Sequence, residues 1–125
     1  MNAKLNEIEI NGVKYVEAGS ISAPVKVDTN GREYSIVRTY SAGVFAGWID
    51  SDHKGADGVV YDARRLWYWD GAASLSQMAV DGTSAPSNCK FPCKVDRVKL
   101  TNIVEIIPCT DKAKKSIEGV QVWAK

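Results

Sequence analysis

The segment Asp62-Ala63-Arg64-Arg65-Leu66-Trp67-Tyr68-Trp69-Asp70 concentrates arginine and large aromatic residues more densely than any other stretch of the chain. On a β-strand, side chains alternate between faces, which sets Arg65, Trp67 and Trp69 on one side and Arg64, Leu66 and Tyr68 on the other. A guanidinium grips a phosphate through paired N–H donors and an indole stacks on a base, so such a face suits a nucleotide better than a purely apolar ligand. The same residue types also build tryptophan-rich cores and subunit interfaces around a packed arginine, and both readings stand. A second candidate is Arg38-Thr39-Tyr40-Ser41-Ala42-Gly43-Val44-Phe45. Here Arg38 and Tyr40 share one face, Thr39 and Ser41 the other, and the small Ala42-Gly43 pair lets a ligand approach the backbone. An ordinary hairpin with a solvated Arg38 fits those residues too.

Signatures of catalysis are missing. The sequence contains no Gly-x-Ser-x-Gly, no phosphate-binding loop of the Gly-x-x-x-x-Gly-Lys type and no His-Glu-x-x-His. Asp50, Asp52 and His53 are the residues from which a hydrolase would draw a metal ligand or a base, although on a polar loop they read as solvated. Cys89 and Cys93 are separated by three residues, and a zinc site would need two further ligands from Cys109, His53 or a carboxylate. The expectation is a protein without catalytic residues, metal or cofactor.

The elements that must position these residues follow from periodicity. Residues 7–16 alternate around Asn11-Gly12 and predict an N-terminal hairpin, followed by a loop-like stretch to residue 30 in which Val25-Lys26-Val27 forms a short strand. Residues 34–41, 44–50 and 59–69 predict three strands of an antiparallel meander, the last bending near Ala63. A short helix is expected after Asp70 as its cap, ending at Asp81-Gly82, and a second over residues 111–118, capped by Thr110 and ended by Gly119. Residues 95–107 read as strand with a break at Thr101-Asn102, and residues 120–123 as a last strand. The fold class is α+β, mainly antiparallel sheet with an N-terminal hairpin and two short helices. It divides into a hairpin and loop over residues 1–30 and a main body over residues 31–125, together one domain.

Composition narrows the partners. Lys plus Arg number 16 against 15 for Asp plus Glu, so the net charge of +1 supplies no global field for duplex nucleic acid or an anionic membrane. No apolar run approaches the roughly 18 residues that cross a bilayer, and the N-terminal residues lack a signal-peptide core. The odd cysteine count fits reduced thiols, and the expected location is the cytoplasm. Four tryptophans and five tyrosines in so short a chain predict a homo-oligomer.

From Ile36 to Trp123 the chain resembles a family of small phage proteins, through Val37-Arg38-Thr39-Tyr40-Ser41-Ala42-Gly43-Val44, Ala63-Arg64-Arg65-Leu66-Trp67-Tyr68-Trp69 and Glu105-Ile106-Ile107-Pro108-Cys109-Thr110. That family is similar to the Thoeris anti-defence sponges of the first type. The resemblance implies an oligomer in the host cytoplasm that sequesters cyclic ADP-ribose isomers made by a TIR-domain enzyme, and in some members cyclic oligonucleotides at a separate site, without cleaving them. Arg38 and Thr39 are the candidates for that second site. The expected ligand-binding set is Arg38, Thr39, Tyr40, Phe45, Arg64, Arg65, Trp67 and Trp69. The competing readings are a virion, assembly or nucleic-acid-associated phage protein and a hydrolase of the signal.

Overall fold

A computed structural model describes residues 30–125. Strands β1 (Arg32–Thr39), β2 (Val44–Asp50) and β3 (Gly58–Arg65) form the expected antiparallel meander. Helix α1 (Leu75–Asp81) and a 3-10 turn (Pro86–Asn88) follow, then β4 (Lys94–Leu100), β5 (Ile103–Pro108) and α2 (Asp111–Gly119). The sheet order is β4-β3-β2-β1-β5, antiparallel throughout, an α+β fold. The hairpin predicted over residues 7–16 and the short strand at Val25-Lys26-Val27 lie outside the described residues.

The two edge strands are neighbours in sequence, joined only by Thr101-Asn102. Three peptide steps reach at most about 11 Å, whereas four strand spacings of a flat sheet span about 19 Å. The sheet must therefore roll up into a partly closed barrel. Its interior takes residues from every strand: Val37, Phe45, Ile49, Val60, Ala63, Leu100 and Ile103 form one buried cluster. A second cluster lies on the other face of β1 and β2, where Tyr34, Ile36 and Ala46 pack with Met78 and Ala79 of α1, Ala113 and Ile117 of α2, and Leu66, Phe91 and Cys109. Alternation along β1, with Tyr34 and Ile36 in one core and Val37 in the other, explains why this strand is apolar on both faces.

Val60 and Ala63 are three residues apart yet face the same core, because β3 carries a bulge. The pairing runs Ala46 with Arg64 and then Trp48 with Tyr61, and the extra residue, Asp62, adopts φ 49°. Gly47 lies opposite. A methyl group there would sit 2.6 Å from Val60 Cγ1 and 2.7 Å from the Tyr61 carbonyl oxygen. Gly47→Ala is accordingly expected to cost about 1–3 kcal/mol and lower the melting temperature by several degrees. A thermal melt unchanged from wild type would show that the bulge yields freely.

Three expectations need correcting. The strand expected over residues 59–69 stops at Arg65: Leu66 N–H donates to the Val44 carbonyl at 2.8 Å, and beyond that rung β2 has already turned away. The α1 cap is Ser74, whose hydroxyl accepts from Gln77 N–H, while the Asp70 carboxylate accepts from Gly71 N–H and Asn88 Nδ2 within the following loop. Residues 120–123 form no strand. Val122 makes a single parallel bridge to Phe91, and Trp123 N–H donates to the Phe91 carbonyl at 3.0 Å. The α2 cap is as expected, with Thr110 Oγ1 accepting from Ala113 N–H.

Candidate functional site

Arg65 ends β3 on the barrel-facing side, paired in register with Phe45. Its guanidinium carbon lies 4.4 Å from the centre of the Phe45 ring and one of its nitrogens donates to the Ala42 carbonyl. These contacts aim the group without neutralising it, because no carboxylate pairs with Arg65 among the described residues. The side chain is exposed, and with Trp67, Trp69 and the turn Ser41-Ala42-Gly43 it lines an open cleft of about 380 Å³. Gly43 has φ 98°, so a side chain would be strained there, and a methyl group would come within 3.5 Å of the Arg65 guanidinium.

The two segments singled out in the sequence thus meet in one cleft. The β1–β2 turn supplies one wall and residues 65–69 the other. Trp67 is 58 % exposed and stacks on Trp123 with ring centres 5.0 Å apart and planes 12° apart. Lys90 Nζ lies 5.7 Å from the centres of both rings. Trp123 and Lys90 fall outside the set expected from the sequence. They are 56 and 23 residues from Trp67 along the chain, and the bridge between Phe91 and Val122, with the Trp123 N–H bond to the Phe91 carbonyl, brings the C-terminal segment to residues 90–91. Trp69 is half-buried and packs against the helix-side core.

Arg64 occupies a different environment from its neighbour. It is 3 % exposed, and its fork donates to the carbonyls of Pro92 (3.0 Å), Phe91 (3.1 Å) and Ile117 (2.8 Å). Burial lowers its pKa from the usual arginine value, while Tyr34 and Glu118 act in the opposite direction. The carbonyl of Ile117 belongs to the last turn of α2, where unpaired carbonyls and the negative helix end favour a cation. Arg64 ties β3 to the segment before β4 and to α2, and its donors point at backbone.

The other expected residues divide similarly. Thr39 is buried, its hydroxyl donating to the Gly43 carbonyl at 2.7 Å and accepting from Ala42 N–H at 2.9 Å, so it holds the turn closed. Arg38 lies on the surface with Nε 2.8 Å from Glu105 Oε1 across the β1–β5 pair. Tyr40 is 85 % exposed at the tip of the turn. Phe45 is buried beneath the Arg65 guanidinium.

Asp50, Asp52 and His53 line neither of the two cavities that Arg65 borders. Asp50 lies 3.8 Å from Arg32, and His53 Nε2 lies 3.2 Å from the Gly55 carbonyl within its own loop. Cys89 and Cys109 are buried and Cys93 is exposed. Burial pushes the Cys109 thiol up to about 12, which keeps it protonated at neutral pH. No helix among the described residues is long and apolar enough to cross a membrane.

A family model described as a domain of unknown function, DUF6948, matches residues 32–117. No curated protein and no solved structure matches the chain.

Proposed function

This chain belongs to the DUF6948 family, and we propose that it is a binding protein that captures a small phosphorylated ligand of the cyclic-nucleotide class and holds it uncleaved. The observation that carries the reading is the convergence in one cleft of an arginine without a carboxylate partner among the described residues, two indoles and the backbone of a glycine-containing turn. The guanidinium of Arg65 offers the fork for a phosphate, and Trp67, held by Trp123 behind it, offers a rigid surface for a base. The group nearest to a catalytic base, His53, lies elsewhere in the fold, which favours retention over hydrolysis.

The resemblance to Thoeris anti-defence sponges gives this reading its biological form: a phage protein that removes a cyclic ADP-ribose-type immune signal in the host cytoplasm. Assembly with further copies belongs to the same reading, supported by Tyr40 and Trp67, which leave large aromatic surface in solvent beside the cleft. Native mass spectrometry of the full chain with cyclic ADP-ribose isomers and cyclic dinucleotides tests both parts. A retained ligand, released with its mass unchanged on heat denaturation, and a multiple of the chain mass are the expected results. Retention of none of these ligands would overturn the binding reading, and release of a cleaved nucleotide would overturn retention.

A further inference from the structure

A separate cavity of about 420 Å³ lies at the open mouth of the barrel where β4 begins. That volume falls in the range of small-molecule sites. Its apolar wall comes from Phe45, Pro92, Val95 and Val98, and its charged rim from Arg65 and Arg97. Val95 is 48 % exposed on this edge strand, two residues from the charged Arg97. Arg97 has no carboxylate or carbonyl partner among the described residues, and β4 carries Lys94, Arg97 and Lys99 against the single carboxylate Asp96. An apolar cavity under two guanidiniums with no built-in counter-ion calls for an occupant that brings its own negative charge.

We infer that this cavity is a second binding site, for a small aromatic acid: a flat apolar body against Phe45, Val95 and Val98, with one carboxylate, sulfonate or phosphate between Arg65 and Arg97. The inference adds to the nucleotide reading without resting on it, because only Arg65 is common to the two cavities. One guanidinium cannot serve two anions fully, so occupation of either cavity weakens binding in the other.

Anilinonaphthalene sulfonate, a fluorescent aromatic sulfonate, is the probe. Titration of the full-length protein is expected to saturate at one probe per chain. Arg97→Gln, an exposed substitution, is expected to weaken the probe about tenfold with an unchanged thermal melt. Trp67→Ala, which touches only the other cleft, is expected to leave probe affinity unchanged, so loss of nucleotide binding alone does not count against this site. Val95→Asp, which places a carboxylate on the cavity wall, is expected to abolish binding. Non-saturating fluorescence, or affinity that survives both Arg97→Gln and Val95→Asp, would overturn the assignment.

Discussion

Arg64→Leu is expected to destabilise the protein by about 2–4 kcal/mol. The reason lies in what the guanidinium leaves behind. Three carbonyls, of Phe91, Pro92 and Ile117, are deprived of a charged donor together, in a place where Arg64 itself is only 3 % exposed. The Pro92 carbonyl is left without a partner, at about 1–3 kcal/mol, whereas the Phe91 and Ile117 carbonyls keep Trp123 N–H and Val120 N–H and lose only the stronger, charged donor; leucine returns part of this through apolar packing. Arg64→Lys keeps the charge but not the planar fork, and should fall between leucine and wild type. Chemical denaturation of the three proteins checks the order. A leucine variant melting within a degree or two of wild type would show that the three hydrogen bonds add nothing to stability.

Arg65→Ala is expected to show the opposite phenotype: a ten- to hundredfold loss of nucleotide affinity, corresponding to about 1.5–3 kcal/mol, with a melt close to that of wild type. The alanine removes the cation over the Phe45 ring and one hydrogen bond to the Ala42 carbonyl, both at the surface and together worth about 1 kcal/mol. Calorimetric titration beside thermal melting separates the two arginines. Their adjacency makes the comparison demanding, since a general disturbance of β3 would affect both readouts in both variants. If Arg65→Ala binds nucleotide normally, the cleft beside Trp67 is not the nucleotide site.

Much of this division was legible in the residues themselves. Alternation alone placed Arg64, Leu66 and Tyr68 on one face and Arg65, Trp67 and Trp69 on the other. Arg64 and Leu66 are buried and Arg65 and Trp67 exposed as expected, whereas past the end of β3 Tyr68 is exposed and Trp69 packs against the helix-side core. The rule applies here because the period of two survives on either side of the bulge at Asp62. Local chemistry also sufficed for α2, where Thr110 caps the first turn through its own side chain, and for the meander, whose strands are separated by turn-forming residues.

What local pattern could not supply is whatever depends on partners distant in sequence. The alternation rule assigned Arg64 to a face, but whether that face met solvent, a phosphate or three carbonyls was decided by the packing of residues 91–92 and 117 against β3. Residues 66–69 continue an aromatic, strand-like pattern, yet β2 ends opposite Leu66 and the ladder stops for want of a partner. Trp123 reaches Trp67, and Arg97 reaches the rim that Arg65 shares, only because the chain after α2 returns to Phe91 and β4 pairs with β3. Side-chain type and period are properties of neighbours along the chain and determine strands, caps and faces. Closure of the barrel and the two cavities around Arg65 arise from packing between elements, which a single sequence does not pair.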